Sequence, residues 1–381
     1  MKIVIAPDSF KESLSSIEVA EAIARGMQQV LPDTELIKLP VADGGEGTVD
    51  AMVAGTNGNK FRCRIAGPMG EPTDACWGLL GDGVTAVIEV AEAVGLAKVP
   101  AKQRNPLKAT SYGVGELIIE ALNAGAKQLV IGLGGSATND GGAGMLQALG
   151  ARLLNKAGDV IALGAAGLAD LQQVDLSYLD SRLLSVVCKV ACDVDNPLLG
   201  PKGATYTYGP QKGADVTMLQ QLENHLSHYA TVVQQTLRRD MAAFPGAGAA
   251  GGLGFALLAG LPAQLQSGVD IVLDAIKLAN YLADADLVIT GEGKIDGQTI
   301  HGKTPIGVAK LAKQYNCRVI ALAGSLGDNY QVVYQQGIDA VFSVVPGVMN
   351  LTDALTNAEQ NIENTAFNIA KVICCQKMTR F

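Results

Sequence analysis

The sequence predicts an α/β fold, with a Rossmann-like parallel-sheet domain and a second, mixed α/β domain inserted into it. Three observations lead there. Short apolar runs are each followed by a glycine-rich loop carrying an acid: IAPDSFK at 5–11, PVADGGEG at 40–47, GLGGSATNDGGAG at 132–144 and ITGEGKID at 289–296. Both ends of the chain alternate strand, loop and helix, the pattern of a parallel sheet with helical crossovers. The stretch between has a different texture, with turns spaced as in an antiparallel meander.

Taken in order, residues 2–6 form a short apolar strand, and Ser15 with Glu18 makes a capping box that opens an amphipathic helix over 17–30, stopped by Pro32. The unit repeats with a strand at 35–39, the DGGEG loop at 43–47 and a helix over 46–53. Residues 61–90 read as several short strands separated by Gly-Pro, Glu-Pro and Gly-Asp-Gly turns. An apolar run at 128–131 precedes the long glycine loop, which enters a helix near Gly142, and another at 184–190 precedes ACDVDN at 191–196. Further on, a strand at 287–290 leads into Gly-Glu-Gly, followed by a helix over 305–314 and strands at 318–323 and 340–345. At 381 residues the chain exceeds what one core usually serves. The expected division is 1–61 with 283–381 for the Rossmann-like domain and 62–282 for the insertion, with the active site in the cleft between them.

Composition narrows the function. A net charge of −8 with no cluster of Lys and Arg argues against nucleic acid as a partner. No apolar stretch reaches the roughly 18 residues a membrane helix needs; the nearest, 246–261, is broken by glycine. The opening IVIA is too short for the core of a signal peptide. Seven cysteines, an odd number without paired CxxC spacing, suit reduced thiols rather than disulfides or zinc. The expectation is a cytoplasmic protein acting on a small molecule, with self-association into a homo-oligomer left open. The surplus of glycine, 45 residues, sits largely in loops, where missing Cβ atoms let backbone N–H groups approach an anion. Right-handed crossovers place strand-to-helix loops at one carboxyl edge, so Asp8, Asp43 and the loop after Thr290 are expected to converge.

MKIVIAPDSFKESLS, VADGGEGTVDAM, IGLGGSATNDGGAGM, VACDVDNPL, GPQKGA, GAGAAGGLG, ITGEGKID and GIDAVFSV, in that order, resemble the bacterial glycerate kinase family of the first type almost end to end. The resemblance implies transfer of phosphate from ATP to D-glycerate, giving 2-phosphoglycerate, in a two-domain fold without a Walker loop. Such a transfer needs Mg²⁺, positive charge at the oxygens, an aligned acceptor hydroxyl and exclusion of water. Lys11 is the candidate cationic contact to a phosphate or to the glycerate carboxylate, against a solvated loop lysine. Asp8, Ser9, Asp43, Gly44, Gly45 and Glu46 form the candidate substrate loops, the two aspartates accepting from glycerate hydroxyls, orienting Lys11 or merely capping turns. Asp193 is the candidate general base or Mg²⁺ ligand, with Asp195 beside it in an acid-rich turn. Glu292 is a second candidate for metal or ribose, next to Gly291, while Asp296 caps a turn. For the nucleotide the candidates are Gly134, Gly135, Ser136, Asn139 and Asp140, with Lys303 as an isolated charge.

Other motifs compete. Gly132-x-Gly134-x-x-Ala137 is a permissible dinucleotide fingerprint that taken alone suggests a nicotinamide-linked hydroxy-acid dehydrogenase, but the acid expected some twenty residues on is not in place. Residues 297–304 satisfy GxxxxGK[ST], yet 291–296 separate them from the strand ending at Thr290, and Pro305 removes an N–H. GAGAAGGLG at 246–254 reads as close packing or a wall against the nucleotide, and GPQKG at 209–213 as a mobile loop with Lys212 reaching a phosphate, or a plain surface turn. His225 and His228 read as surface residues of an amphipathic helix, with His301 near the 297–304 motif.

Overall fold

The structure, a computed structural model, describes residues 1–300 and 302–378, so His301 lies outside the described residues. Thirteen strands are present among them. In chain order they are β1 Lys2–Ile5, β2 Glu35–Lys38, β3 Asn59–Ala66, β4 Pro72–Leu79, β5 Thr85–Glu89, β6 Gln128–Gly132 and β7 Arg152–Leu154. There follow β8 Gln173–Asp175, β9 Val187–Ala191, β10 Ala263–Gln266, β11 Leu287–Ile295, β12 Arg318–Leu326 and β13 Ala340–Ser343. The chain forms two compact units, one comprising Met1–Asp43, Asp50–Asn57 and Val269–Phe381, the other Gly44–Val49 and Gly58–Gly268. The passage at Gly268 comes earlier than 282/283 because the segment beyond it packs within the first unit, where Ile276 lies over Gly55 and Val269 over Gly307.

The first unit carries the parallel sheet, in the order β13-β12-β11-β1-β2. Ile3, Val4 and Ile5 are wholly buried, as a central parallel strand covered on both faces requires. The helix Ser16–Gln28 opens with the expected capping box of Ser15 and Glu18. Its Val19, Ile23 and Met27 pack with Ile362, Ala366 and Ile369 of the helix Ala358–Met378, and Gly26 lets the two backbones meet at Glu363.

One strand departs from expectation. β11 does not stop at Thr290 but runs through Gly-Glu-Gly to Ile295, with Glu292 paired to Ala323 and Lys294 to Ser325. A Cβ on Gly291 would collide with the Leu322 carbonyl, and one on Gly324 would stand 2.6 Å from the Gly293 carbonyl. These glycines permit close strand approach; they do not form a phosphate loop.

The second unit has a mixed sheet ordered β10-β9-β6-β5-β4-β3, in which β3, β4 and β5 make the antiparallel meander and β5, β6, β9 and β10 run parallel; β7 and β8 form a separate pair. Its own core gathers Trp77, Ile88, Leu117, Ile131, Tyr229 and Phe255. The helix Ala249–Gly260 is interrupted at Ala250, Gly251 and Gly252, all with positive φ. Gly251 and Gly252 lie directly on the backbone of Thr138 and Gly141, so GAGAAGGLG is a packing segment beneath the long glycine loop rather than a nucleotide wall.

Candidate functional site

In the first unit the chain leaves β1 for β2 on one side, while β11, β12 and β13 spread to the other, so the order reverses between β1 and β11. Ligands of open parallel sheets bind outside the carboxyl ends at such a reversal. Asp8 follows β1 at that point and is 8% exposed. Its Oδ1 accepts from the Ser9 N–H at 2.6 Å and its Oδ2 from the Thr304 hydroxyl at 2.5 Å. Burial, and then the negative charges of Asp43 and Glu292, push its carboxyl up to about 6, against the pull of those two hydrogen bonds. Asp43 and Glu292, distant in sequence, thus lie close enough to Asp8 for their charges to act on it. Gly293 lets the turn at Phe10 and Lys11 lie over β11, with the Lys11 backbone nitrogen 3.4 Å from where a Cβ would stand. Lys11 itself is exposed and makes no ion pair among the described residues.

Glu292 is buried, with Oε1 accepting from Thr299 at 2.7 Å and Oε2 from the Lys303 ammonium at 3.2 Å. Burial raises its pKa and these two partners work against the rise. Lys303 thus faces a carboxylate, not an isolated position. Asp296 caps a turn, accepting from the Gln298 N–H at 2.9 Å. Because β11 continues to Ile295, only Asp296 separates the strand from Gly297, and the gap expected ahead of the GxxxxGK[ST] motif is absent. What removes the motif's Walker character is the use of its side chains: Lys303 serves Glu292, and Thr304 serves Asp8. Thr304 is absent from the sequence reading because no spacing pairs a hydroxyl with an acid 296 residues away, and Thr299 because its partner Glu292, seven residues off, is read there as part of a loop.

The second unit has its own carboxyl edge, where Glu89 ends β5, Leu133 follows β6 and Cys192 follows β9. The segment Gly44–Val49 is seated there. A Cβ on Gly44 (φ +91°) would stand 2.7 Å from the Ala191 Cβ and 3.0 Å from the Gly268 Cα, one on Gly132 would meet the Gly44 carbonyl, and Gly134 lies against Gly45. The buried Glu89 carboxylate accepts from the Val49 N–H at 2.7 Å and the Gly47 N–H at 3.3 Å. Gly44 and Gly45 are accordingly close-packing residues, while Glu46 is exposed. Asp193 and Asp195 are both exposed, in a segment without regular structure, and Asp193 Oδ1 accepts from the Gly268 N–H at 3.0 Å.

The loop from Gly134 to Gly142 is fixed from beneath. Gly135, Gly141 and Gly142 adopt positive φ, and the Gly135 carbonyl and Ala137 N–H bond to Leu96 and Val94. Asp140 is fully buried, accepting from the Ser111 N–H and hydroxyl and from the N–H groups of Gly142 and Gly144. Burial raises its pKa and those donors oppose the rise. Asn139 is buried too and donates to Thr205 at 3.2 Å. Neither touches the surface, and both hold the loop; Thr205, 66 residues from Asn139, and Ser111, 29 residues from Asp140, leave no local signal. Lys212 belongs to no mobile surface loop. It is 2% exposed, its ammonium donating to Ser136 Oγ at 3.1 Å and to the Thr138 carbonyl at 2.6 Å, and burial pushes its pKa down to about 7 against the charge of Asp140. His225 and His228 are half-buried, and His228 Nε2 lies 2.6 Å from the Leu171 carbonyl.

Among the described residues no helix is long and apolar enough to cross a membrane. The sequence profile of the glycerate kinase family matches residues 3–374. The chain is 57% identical over 373 residues to the glycerate kinase of Bacillus subtilis strain 168, covering 98% of each chain. It is 54% identical to the glycerate 2-kinase of Escherichia coli K12, again over 98% of each. A Salmonella typhimurium LT2 protein, whose crystal structure is described under the name glycerate kinase 2, superposes with a TM-score of 0.92 at 53% identity over 99% of both chains.

Proposed function

The chain belongs to the glycerate kinase family, and from that premise we propose that it transfers the terminal phosphoryl group of ATP to the C2 hydroxyl of D-glycerate, giving 2-phosphoglycerate and ADP. The likeness along the whole length to a glycerate 2-kinase supports the C2 hydroxyl. The observation that carries the acceptor site is the closeness of Asp43 and Glu292 to Asp8 at the strand-order reversal, with Lys11 lying over β11. There Asp8 and Asp43 accept hydrogen bonds from the glycerate hydroxyls, and the Lys11 ammonium pairs with the glycerate carboxylate. Thr304 and Ser9 hold the Asp8 carboxylate in one orientation, so its remaining lone pairs are aimed before substrate arrives. For ATP, the loop of Gly134, Gly135 and Ser136 offers amides and one hydroxyl to phosphate oxygens.

The donor sets differ in their fit to Mg²⁺. Asp193 and Asp195 are exposed hard oxygen donors, and Mg²⁺ asks for only one or two carboxylates beside phosphate oxygens and water. Glu292 fits less well, because it is buried and both its oxygens already accept, one from Thr299 and one from the Lys303 ammonium, whose charge opposes a second cation. We therefore assign Asp193 to the metal ahead of Glu292. When bound, Mg²⁺ supplies positive charge to the phosphate oxygens.

Incubation with ATP and D-glycerate, followed by phosphorus NMR of the product, tests activity and regiochemistry together. ADP with a C2 phosphate is expected; a C3 phosphate overturns the regiochemistry, and absence of ADP overturns the kinase reading. Reduction of NAD by glycerate instead would restore the dehydrogenase that the 132–137 fingerprint suggests.

A further inference from the structure

We propose that Lys212 and Ser136 act as a pair, in which the buried ammonium holds the serine hydroxyl as a hydrogen-bond donor to a phosphate oxygen of ATP; Ser136 is the contact and Lys212 the positioning residue. This deepens the nucleotide site proposed above and rests on it. Ser136 is 5% exposed. Its Oγ accepts from the Lys212 ammonium at 3.1 Å, and no described acceptor takes the hydroxyl proton. When Lys212 is protonated its ammonium can only donate, so Ser136 Oγ then only accepts from it, and its own O–H points elsewhere. A buried hydroxyl with an unspent donor calls for an acceptor. The bond from a cationic donor also polarises the O–H, which suits it to an anionic partner.

The geometry around the pair is rigid. Ser136 pairs with Gly95 in an isolated antiparallel bridge, flanked by the bonds of Gly135 to Leu96 and Ala137 to Val94. Lys212 is tied by its second bond to the Thr138 carbonyl at 2.6 Å. From outside, Arg104 donates to the Gln211 carbonyl at 3.1 Å, and its side chain fills the space that a Cβ on Gly213 would need. The third ammonium proton has no described partner, and the hydroxyl of Thr138, the residue whose carbonyl Lys212 bonds, is buried without one.

Calorimetric titration with ATP, without glycerate, tests the pair apart from turnover, and steady-state kinetics of the full chain test it within turnover. Lys212→Met and Ser136→Ala should each weaken ATP binding by about tenfold or more, with the KM for glycerate unmoved. The double variant should lose no more than the worse single one, because both act through one hydroxyl. Losses that multiply, or a Kd for ATP unchanged in either variant, overturn the pairing. Should Lys212→Met fail to fold, Ser136→Ala decides alone, since removing one oxygen leaves the loop's backbone bonds in place; an unchanged Kd then refutes the proposal. If the unmutated protein binds ATP but yields no ADP with D-glycerate, the acceptor reading fails while the pair stands. If it binds no ATP, both fall.

Discussion

Asp8 carries its charge at a cost. Its folded-state carboxyl lies at about 6, above its ordinary value near 3.8, because it is buried beside Asp43 and Glu292. The folded chain therefore holds a proton that the unfolded chain has released across that interval, and stability falls as pH rises through it. Above about pH 6 the loss is complete, of order 2 to 3 kcal/mol from this group. Asp8→Asn mimics the protonated form, so it should unfold at higher denaturant than the unmutated protein at pH 7.5, with the gap closing towards pH 4. The same variant should lose most of its turnover, and the unmutated enzyme's activity should fall below about pH 6. A stability gap independent of pH would mean that Asp8 is not the strained charge. Asp193 poses the opposite case, an exposed carboxylate whose Oδ1 accepts from the Gly268 N–H. Asp193→Asn keeps that acceptor, so the melting temperature should stay put while kcat drops roughly a hundredfold or more. ADP formation near the unmutated rate would remove Asp193 from the chemistry.

Strand β11 shows where sequence reading stops. The capping box at Ser15 and Glu18 was legible because its two hydrogen bonds join residues three apart, and the meander of β3, β4 and β5 because turns announce hairpins. Gly-Glu-Gly-Lys looked like a loop because two glycines and two charges break the apolar alternation. What keeps it a strand is β12, whose Leu322 carbonyl and Gly324 leave room only for glycine opposite. The burial of Lys212 was hidden for a similar reason, since its partners Ser136 and Thr138 lie more than 70 residues away. The loops near Asp8 and Asp43 were readable because crossover handedness, not any one contact, brings them together. It follows that Gly291→Ala must push β11 from β12, at about 1 to 3 kcal/mol, and displace Glu292 with it. Gly83→Ala provides the contrast: its φ of +72° is strained, yet nothing stands within 4 Å, so only about 1 kcal/mol should go. Denaturant midpoints of the two variants, with glycerate kinetics, check this; equal losses and intact kinetics in Gly291→Ala would contradict the tight β11–β12 approach.

At the scale of the whole chain, the two units differ in how their sequence is laid out, and that difference predicts which can fold alone. The core of the second unit, from Ile65 to Leu261, lies entirely within the continuous stretch 58–268. The core of the first needs Ile3, Ile5, Phe10, Val19, Ile23 and Met27 from one end of the chain and Leu287, Ile289, Leu322, Ile362 and Ile369 from the other. Its sheet has the same dependence, since β1 pairs with β11 across 284 residues, as in Ile3 with Leu287. Closing so long a loop costs entropy before any contact is gained. Fragment 58–268 should therefore give a cooperative denaturation and protected amides on its own. It should be weaker than that stretch is in the full chain, because Glu89 loses the Gly47 and Val49 donors. Fragment 269–381 keeps β11, β12 and β13 but lacks β1, β2 and the helix Ser16–Gln28, so its apolar face has no cover and it should show no cooperative transition. Circular dichroism through a urea series, with amide exchange on each fragment, separates the cases. A cooperative 269–381, or an unfolded 58–268, would show that foldability is not set by where each core's residues fall along the chain.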